Sequence, residues 1–257
     1  YRSLLIFHGV GVGKTCSGIT IAENFKDIAQ EKKKRIIVLA STNIQIGWQK
    51  TIYNPEKGDN QCTGDTYELP EMVSDKPLKD PEKQSKRIVR KYYELHGYAA
   101  FANSVKRLIK KNTAGYSEDS PEYSKLMIQC IQETYSDRVL IVDEVHNIRT
   151  GGESEVRDTL HHIELVLKYS KDLKLILLTA NPMFNQAEEI VWILNMLRLN
   201  DSKSMLIHSD IFHEGKVTEE GVHILHEGCK GYVSYLRGEN PVSFPLRLYP
   251  QHISTLI

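Results

Sequence analysis

The chain has 257 residues, 40% of them hydrophobic, with 33 Lys+Arg set against 33 Asp+Glu. That length carries one large α/β domain, or one domain and part of a second. A formal net charge of zero excludes nucleic-acid binding by bulk electrostatics and leaves only a local surface for it. No apolar run approaches the roughly 20 residues that span a bilayer, so no membrane partner is expected.

Four cysteines, Cys16, Cys62, Cys130 and Cys229, lie scattered with no CxxC pair. This predicts neither a zinc ribbon nor a disulfide framework and suits a reducing compartment. No signal peptide is visible. The chain opens on Tyr1 and enters a strand-like run almost at once, which predicts a piece of a longer protein.

In chain order, residues 3–7 (SLLIF) read as a strand that runs straight into the glycine-rich stretch GVGVGKT. From Lys14 onward, Ile19, Ala22 and Phe25 recur at helical spacing. Residues 35–40 (RIIVLA) form a continuous apolar run, as expected of a parallel strand covered on both faces. Residues 54–91 are rich in Pro, Gly, Asp and Lys and read as a surface insertion. A second loop is expected over 110–124, followed by a helix. Residues 138–144 (RVLIVDE) and 173–180 (LKLILLTA) are two further buried strands. Strands of this type separated by helices predict an α/β fold, a doubly wound and mostly parallel sheet with helices on both faces. The domain is expected over residues 1–200. Residues 201–257, with alternating aromatics and two prolines near the end, read as a connector leaving it.

Three strand ends carry candidate chemistry. In the first, a glycine loop between a strand and a helix offers backbone N–H groups and a positive helix end to phosphates. Gly11 and Gly13 flank the turn, Lys14 can reach the β- and γ-phosphates, and the Thr15 hydroxyl can bind Mg²⁺. The usual first glycine of this loop is replaced by His8, at the position farthest from the cradle. The second strand end presents Asp143 and Glu144, where ligands of open α/β sheets bind. Two adjacent carboxylates there can divide the work, Asp143 holding the metal and Glu144 orienting and deprotonating the attacking water. His146 follows two residues later. The third, Thr179 and Asn181 before Pro182, predicts nothing by its chemistry alone; its interest is that it would converge on the same crevice.

The order of these motifs, a phosphate loop, then DEVH, then LTANP, resembles superfamily 2 helicases and translocases, where the loop's first position is often not glycine. The finer resemblance is to helicase-like ATPases of large DNA viruses, the group that includes poxvirus nucleoside triphosphate phosphohydrolase I and the early transcription factor small subunit. It rests on SLLIFHGVGVGKT, STNIQIGWQK, LLTANPMFN, EEIVWILNML and the tail GYVSYLRGENPVSFPLRLYP. The resemblance implies a RecA-like P-loop NTPase that uses ATP and Mg²⁺. It implies that the stretch His8, Gly9, Val10, Gly11, Val12, Gly13, Lys14 and Thr15 binds the nucleotide, and that Lys14, Asp143 and Glu144 are catalytic. It further implies that Thr179 and Asn181 couple hydrolysis to movement, although the usual motif there is Ser/Thr-Ala-Thr. Ser41, Thr42, Asn43 and Trp48 would touch the sugar-phosphate backbone of DNA or RNA, with a second contact near Phe101 to Lys106. A second RecA-like domain in the same polypeptide, and viral RNA polymerase or other virion proteins, are the implied partners. The implied location is intracellular, in host cytoplasm or the virion. A P-loop ATPase that remodels protein without nucleic acid, and a non-catalytic scaffold retaining the fold, are the alternative readings.

Overall fold

The computed structural model describes residues 1–57, 60–64, 67, 81–148, 154–183 and 186–236. β1 (Ser3–His8) leads through the glycine turn into α1 (Lys14–Glu23) and then α2 (Lys26–Glu31). β2 (Ile36–Leu39) passes through a 3₁₀ turn (Thr42–Ile44) into α3 (Gln45–Ile52); α4 (Pro81–Tyr92) runs directly into β3 (Tyr93–His96). α5 (Tyr98–Asn112) and α6 (Pro121–Tyr135) precede β4 (Val139–Val142), and α7 (Ser154–Tyr169) precedes β5 (Lys174–Thr179). After α8 (Glu189–Asn200) come α9 (His208–Ile211), a small hairpin of β6 (Phe212–His213) and β7 (Lys216–Val217), α10 (Glu219–Cys229) and β8 (Val233–Leu236).

Six strands form one sheet in the order β3-β2-β4-β5-β1-β8, and every neighbouring pair is parallel. The continuous apolar runs are explained by this arrangement. Alternate residues of each strand feed two different cores. Leu5, Ile37, Leu39, Leu140, Val142, Leu175 and Leu177 pack under α5, α6, α7 and α8. Ile6, Ile36, Val38, Val139, Ile141, Ile176 and Leu178 pack on the other face, under α1, α3 and α4. With both faces covered, no polar alternation survives in the central strands. Local signals set the helix starts: Ser120 caps α6 by accepting the Tyr123 N–H, with Pro121 at the first helical position.

Four expectations change. The polar stretch 54–91 is not all loop, because α4 occupies its end and buries Val89 against the core; residues 68–80 lie outside the described set. The second expected loop shrinks, since α5 runs to Asn112 and α6 starts at Pro121. Residues after 200 do not simply leave the domain. β8 pairs in parallel with β1, Leu5 opposite Val233 through His8 opposite Leu236. Asp201 accepts the Arg2 N–H at 3.0 Å and the Tyr232 phenol at 2.9 Å, tying the segment to the start of β1. A strand that short, rich in Ser and Tyr, is not apolar enough to be recognised before its partner is known. The tail from residue 237 onward, on which part of the connector reading rested, lies outside the described residues. Finally, Cys16 and Cys62 form a disulfide with their Cα atoms 5.2 Å apart, against the expectation of none. Their 46-residue separation matches no spacing pattern, so only the fold could bring them together.

Candidate active site

Because all six strands run the same way, their carboxyl ends share one edge of the sheet, and the three sequence motifs meet there. β5 lies between β1 and β4. Phe7 is in register with Thr179, and Leu177 with Val142, so the glycine loop, the third motif and the acidic pair occupy consecutive strand ends.

In the loop, Gly11 and Gly13 take φ of 76° and 85°, left-handed conformations that cost a glycine nothing and strain other residues. A β-carbon at Gly13 would meet no atom within 4 Å; the demand there is conformational, and the space beside it is open. Gly13 caps α1 with no side-chain hydrogen bond, so the first N–H groups of the helix are left to an anion. Lys14 Nζ rests 3.5 Å from the Gly9 carbonyl. Val10 projects into solvent, 62% exposed. His8 does not turn toward the loop: its Nε2 lies 2.9 Å from Ser234 Oγ on β8. Burial first, and the Lys14 charge second, hold its imidazole below the ordinary pKa.

Asp143 is 5% exposed. Its Oδ2 accepts the Trp48 indole N–H at 2.7 Å and its Oδ1 the Glu144 backbone N–H at 3.0 Å. The Tyr98 hydroxyl donates to its carbonyl at 2.6 Å. Burial pushes the Asp143 carboxyl above its usual range, the Glu144 charge adding to it, while the Trp48 N–H and the Lys14 ammonium oppose. One strand, β5, separates the strand that leads to Lys14 from the one that ends at the acid. Burial likewise raises the Tyr98 phenol to about 12, with Asp143 and Glu144 contributing. Glu144 adopts φ of 44°, unusual for a residue with a β-carbon. Its Oε2 is buried without a hydrogen bond, 3.4 Å from His146 Nδ1. The same His146 nitrogen is 2.9 Å from Thr179 Oγ1, which also accepts the Asn181 N–H at 3.0 Å. A chain Glu144–His146–Thr179–Asn181 thus links the second and third motifs. His146 was visible in the sequence, but nothing in its spacing pointed to Thr179.

The residues expected to touch a nucleic-acid strand divide. Thr42 and Asn43 are exposed and Ser41 half-buried at the end of β2. Trp48 is not with them: it is 2% exposed and its only donor is spent on Asp143. A helix must bury one face, and residue 48 falls on it with Ile52. Phe101 is likewise core, 1% exposed, while Lys106 is exposed and pairs with Asp158 at 3.3 Å.

The family defined as the type III restriction enzyme, res subunit, matches residues 1–184. The chain belongs to this family. Its fold is that of a RecA-like superfamily 2 ATPase domain, as the parallel sheet and strand-end motifs indicated. Similar proteins come from large DNA viruses. Two from Acanthamoeba polyphaga mimivirus, provisionally named ATP-dependent RNA helicases, are 31% identical over 96% of this chain and 28% over 95%. A provisionally named helicase of Frog virus 3 (isolate Goorha) is 26% identical over 94%. The chain spans 22%, 39% and 22% of the lengths of these relatives.

The loop fits a nucleoside triphosphate: its N–H groups are uncapped, its glycines are left-handed, and it carries a lysine at the same sheet edge as a buried carboxylate. The chemistry of that donor set, a hydroxyl at Thr15 and a carboxylate at Asp143, also fits a hard divalent cation.

Proposed function

We propose that this chain is the ATP-hydrolysing first RecA-like domain of a superfamily 2 helicase or translocase, turning Mg²⁺-ATP hydrolysis into movement along DNA or RNA. The observation that carries this is the placement of the glycine loop bearing Lys14 and of the Asp143–Glu144 pair at one edge of the sheet, on strands that flank β5. The viral relatives named as helicases support the coupling to nucleic acid.

The backbone amides of residues 9–15 bind the phosphates and Lys14 supplies a positive charge to them. Thr15 and Asp143 are the residues that hold Mg²⁺, whose charge supports the triphosphate when bound. Glu144 accepts the proton of the attacking water, with His146 Nδ1 beside its Oε2 at 3.4 Å. His146 and Thr179 carry changes at Glu144 toward Asn181. Ser41, Thr42 and Asn43 present short polar groups suited to phosphates rather than bases. A second RecA-like domain in the same polypeptide closes the site.

Lys14→Ala tests the reading. ATP binding and phosphate release are expected to fall to background, and single-stranded nucleic acid to stimulate only the unsubstituted protein. Equal turnover in the variant removes the assignment. A wild-type ATPase that no nucleic acid stimulates turns the reading to a protein-remodelling ATPase.

A further inference from the structure

We propose that Trp48 is a positioning residue that makes Asp143 sensitive to whatever occupies the segment 41–48, so that a nucleic-acid strand is felt at the ATP site through one indole hydrogen bond. The proposal rests on the functional reading above and deepens it by naming how the two sides of the domain communicate.

Trp48 stands at a junction. After β2, Ala40 and Ser41 lead into the 3₁₀ turn Thr42–Ile44, which exposes Thr42 and Asn43 and continues directly into α3. On the outer side of this helix Ile46 is 64% exposed; on the inner side the Trp48 ring is in the core with Ile19, Val38 and Ile52. A displacement of the polar tip therefore moves a stiff helical segment whose buried ring ends on Oδ2 of Asp143. The other oxygen, Oδ1, is fixed by the local Glu144 N–H. One carboxylate thus has one arm tied to its own strand end and the other to α3. A second tie runs in parallel: the Tyr98 hydroxyl holds the Asp143 carbonyl at 2.6 Å and also interacts with the Ser41 backbone and the Asn147 side chain. Core packing alone does not explain the choice of residue. Among the aromatic residues that could pack there, phenylalanine offers no donor, and the Trp48 indole supplies one to the buried oxygen.

The test is Trp48→Phe in the intact protein, which keeps an aromatic ring and deletes the N–H. ATP affinity, set by the loop of α1, is expected to stay within about twofold. The Mg²⁺ concentration for half-maximal turnover is expected to rise about tenfold, as for loss of a residue supporting a metal ligand. Stimulation by oligo-deoxythymidine or oligo-uridine is expected to drop toward none. A variant with the wild-type Mg²⁺ requirement and the wild-type stimulation ratio overturns the proposal while leaving the ATPase reading standing; a wild-type protein that neither binds nor hydrolyses ATP removes both.

A second measurement does not depend on that variant folding. The chain has two tryptophans, and Trp192 Nε1 is buried with no hydrogen-bond partner, so Trp192→Phe discards an unsatisfied donor and leaves Trp48 as the sole indole. Its emission is expected to change on adding oligonucleotide alone, and again on adding Mg²⁺ with a non-hydrolysable ATP analogue. An emission unmoved by oligonucleotide that demonstrably binds sinks the coupling.

Discussion

Glu144 holds the left-handed backbone conformation of a residue whose surroundings have overruled its own preference, φ 44°. Such outliers persist where the rest of the fold pins them, and often at sites of chemistry. Its carboxylate has a buried oxygen 3.4 Å from His146 Nδ1. Glu144→Gln preserves shape and removes the proton acceptor. It is expected to bind Mg²⁺-ATP as the wild type does while turnover falls by about 100-fold or more. Equilibrium nucleotide binding and single-turnover phosphate release measure the two halves, and unchanged turnover places the base elsewhere. The acid pair stood out in residues 138–144 because it ends an apolar run downstream of a glycine loop; a pair of carboxylates at a strand end is common in isolation. The hydrogen bonds of Trp48 and His146 could not be read this way, since each joins side chains 95 and 33 positions away.

Between elements, the most informative contact is the one that composition argued against. Cys62 is joined to Cys16, its carbonyl accepts the Thr20 hydroxyl at 2.9 Å, and the Tyr67 hydroxyl reaches Glu23 at 2.6 Å. Residues 16, 20 and 23 share one face of α1 at helical spacing, so the described part of the polar insertion lies as a strap along α1. Thr63 extends it to α3 by donating to the Ile52 carbonyl at 3.0 Å. Closing a loop of this length restricts the unfolded chain by roughly 3–4 kcal/mol. Cys62→Ser is expected to lower the unfolding free energy of the oxidised protein by about that amount, and reductant to do the same to the wild type and nothing further to the variant. Denaturant titrations with and without reductant read this out; a wild type indifferent to reductant shows that the bridge contributes nothing.

At the scale of the molecule, the sheet is finished at its β3 edge by a charged cluster. Glu94 pairs with Arg138 at 2.8 Å and Arg35 at 3.1 Å, and His96 lies 3.3 Å away. Burial alone would raise the Glu94 carboxyl, but the hydrogen bond from His96 and the two arginines outweigh it and hold it at about 2, below its ordinary 4.5. Its folded-state pKa is depressed, so its stabilisation is complete above pH 4.5 and is lost as pH falls toward 2. The whole effect is on the order of 3 kcal/mol. Glu94→Gln is expected to flatten the acid limb of the stability profile over that window, with little change in its shape near neutrality. A profile as steep as the wild type's assigns the acid sensitivity to other groups.

The sequence by itself determined that the sheet is parallel and doubly covered, because continuous apolar runs between helical patterns are compatible with little else. It also located the glycine loop and the acidic pair as strand-end candidates, because each motif is local: a few adjacent residues at a strand end contain the whole signal. Tertiary structure decided what depends on distant partners. It brought β3 and β8 into the sheet, turned Trp48 from an expected surface contact into a buried hydrogen-bond donor to Asp143, paired Cys16 with Cys62, and drew His146 onto Thr179. Short strands and single side chains carry too little local free energy to choose their own places; they are placed by the packing of the elements around them.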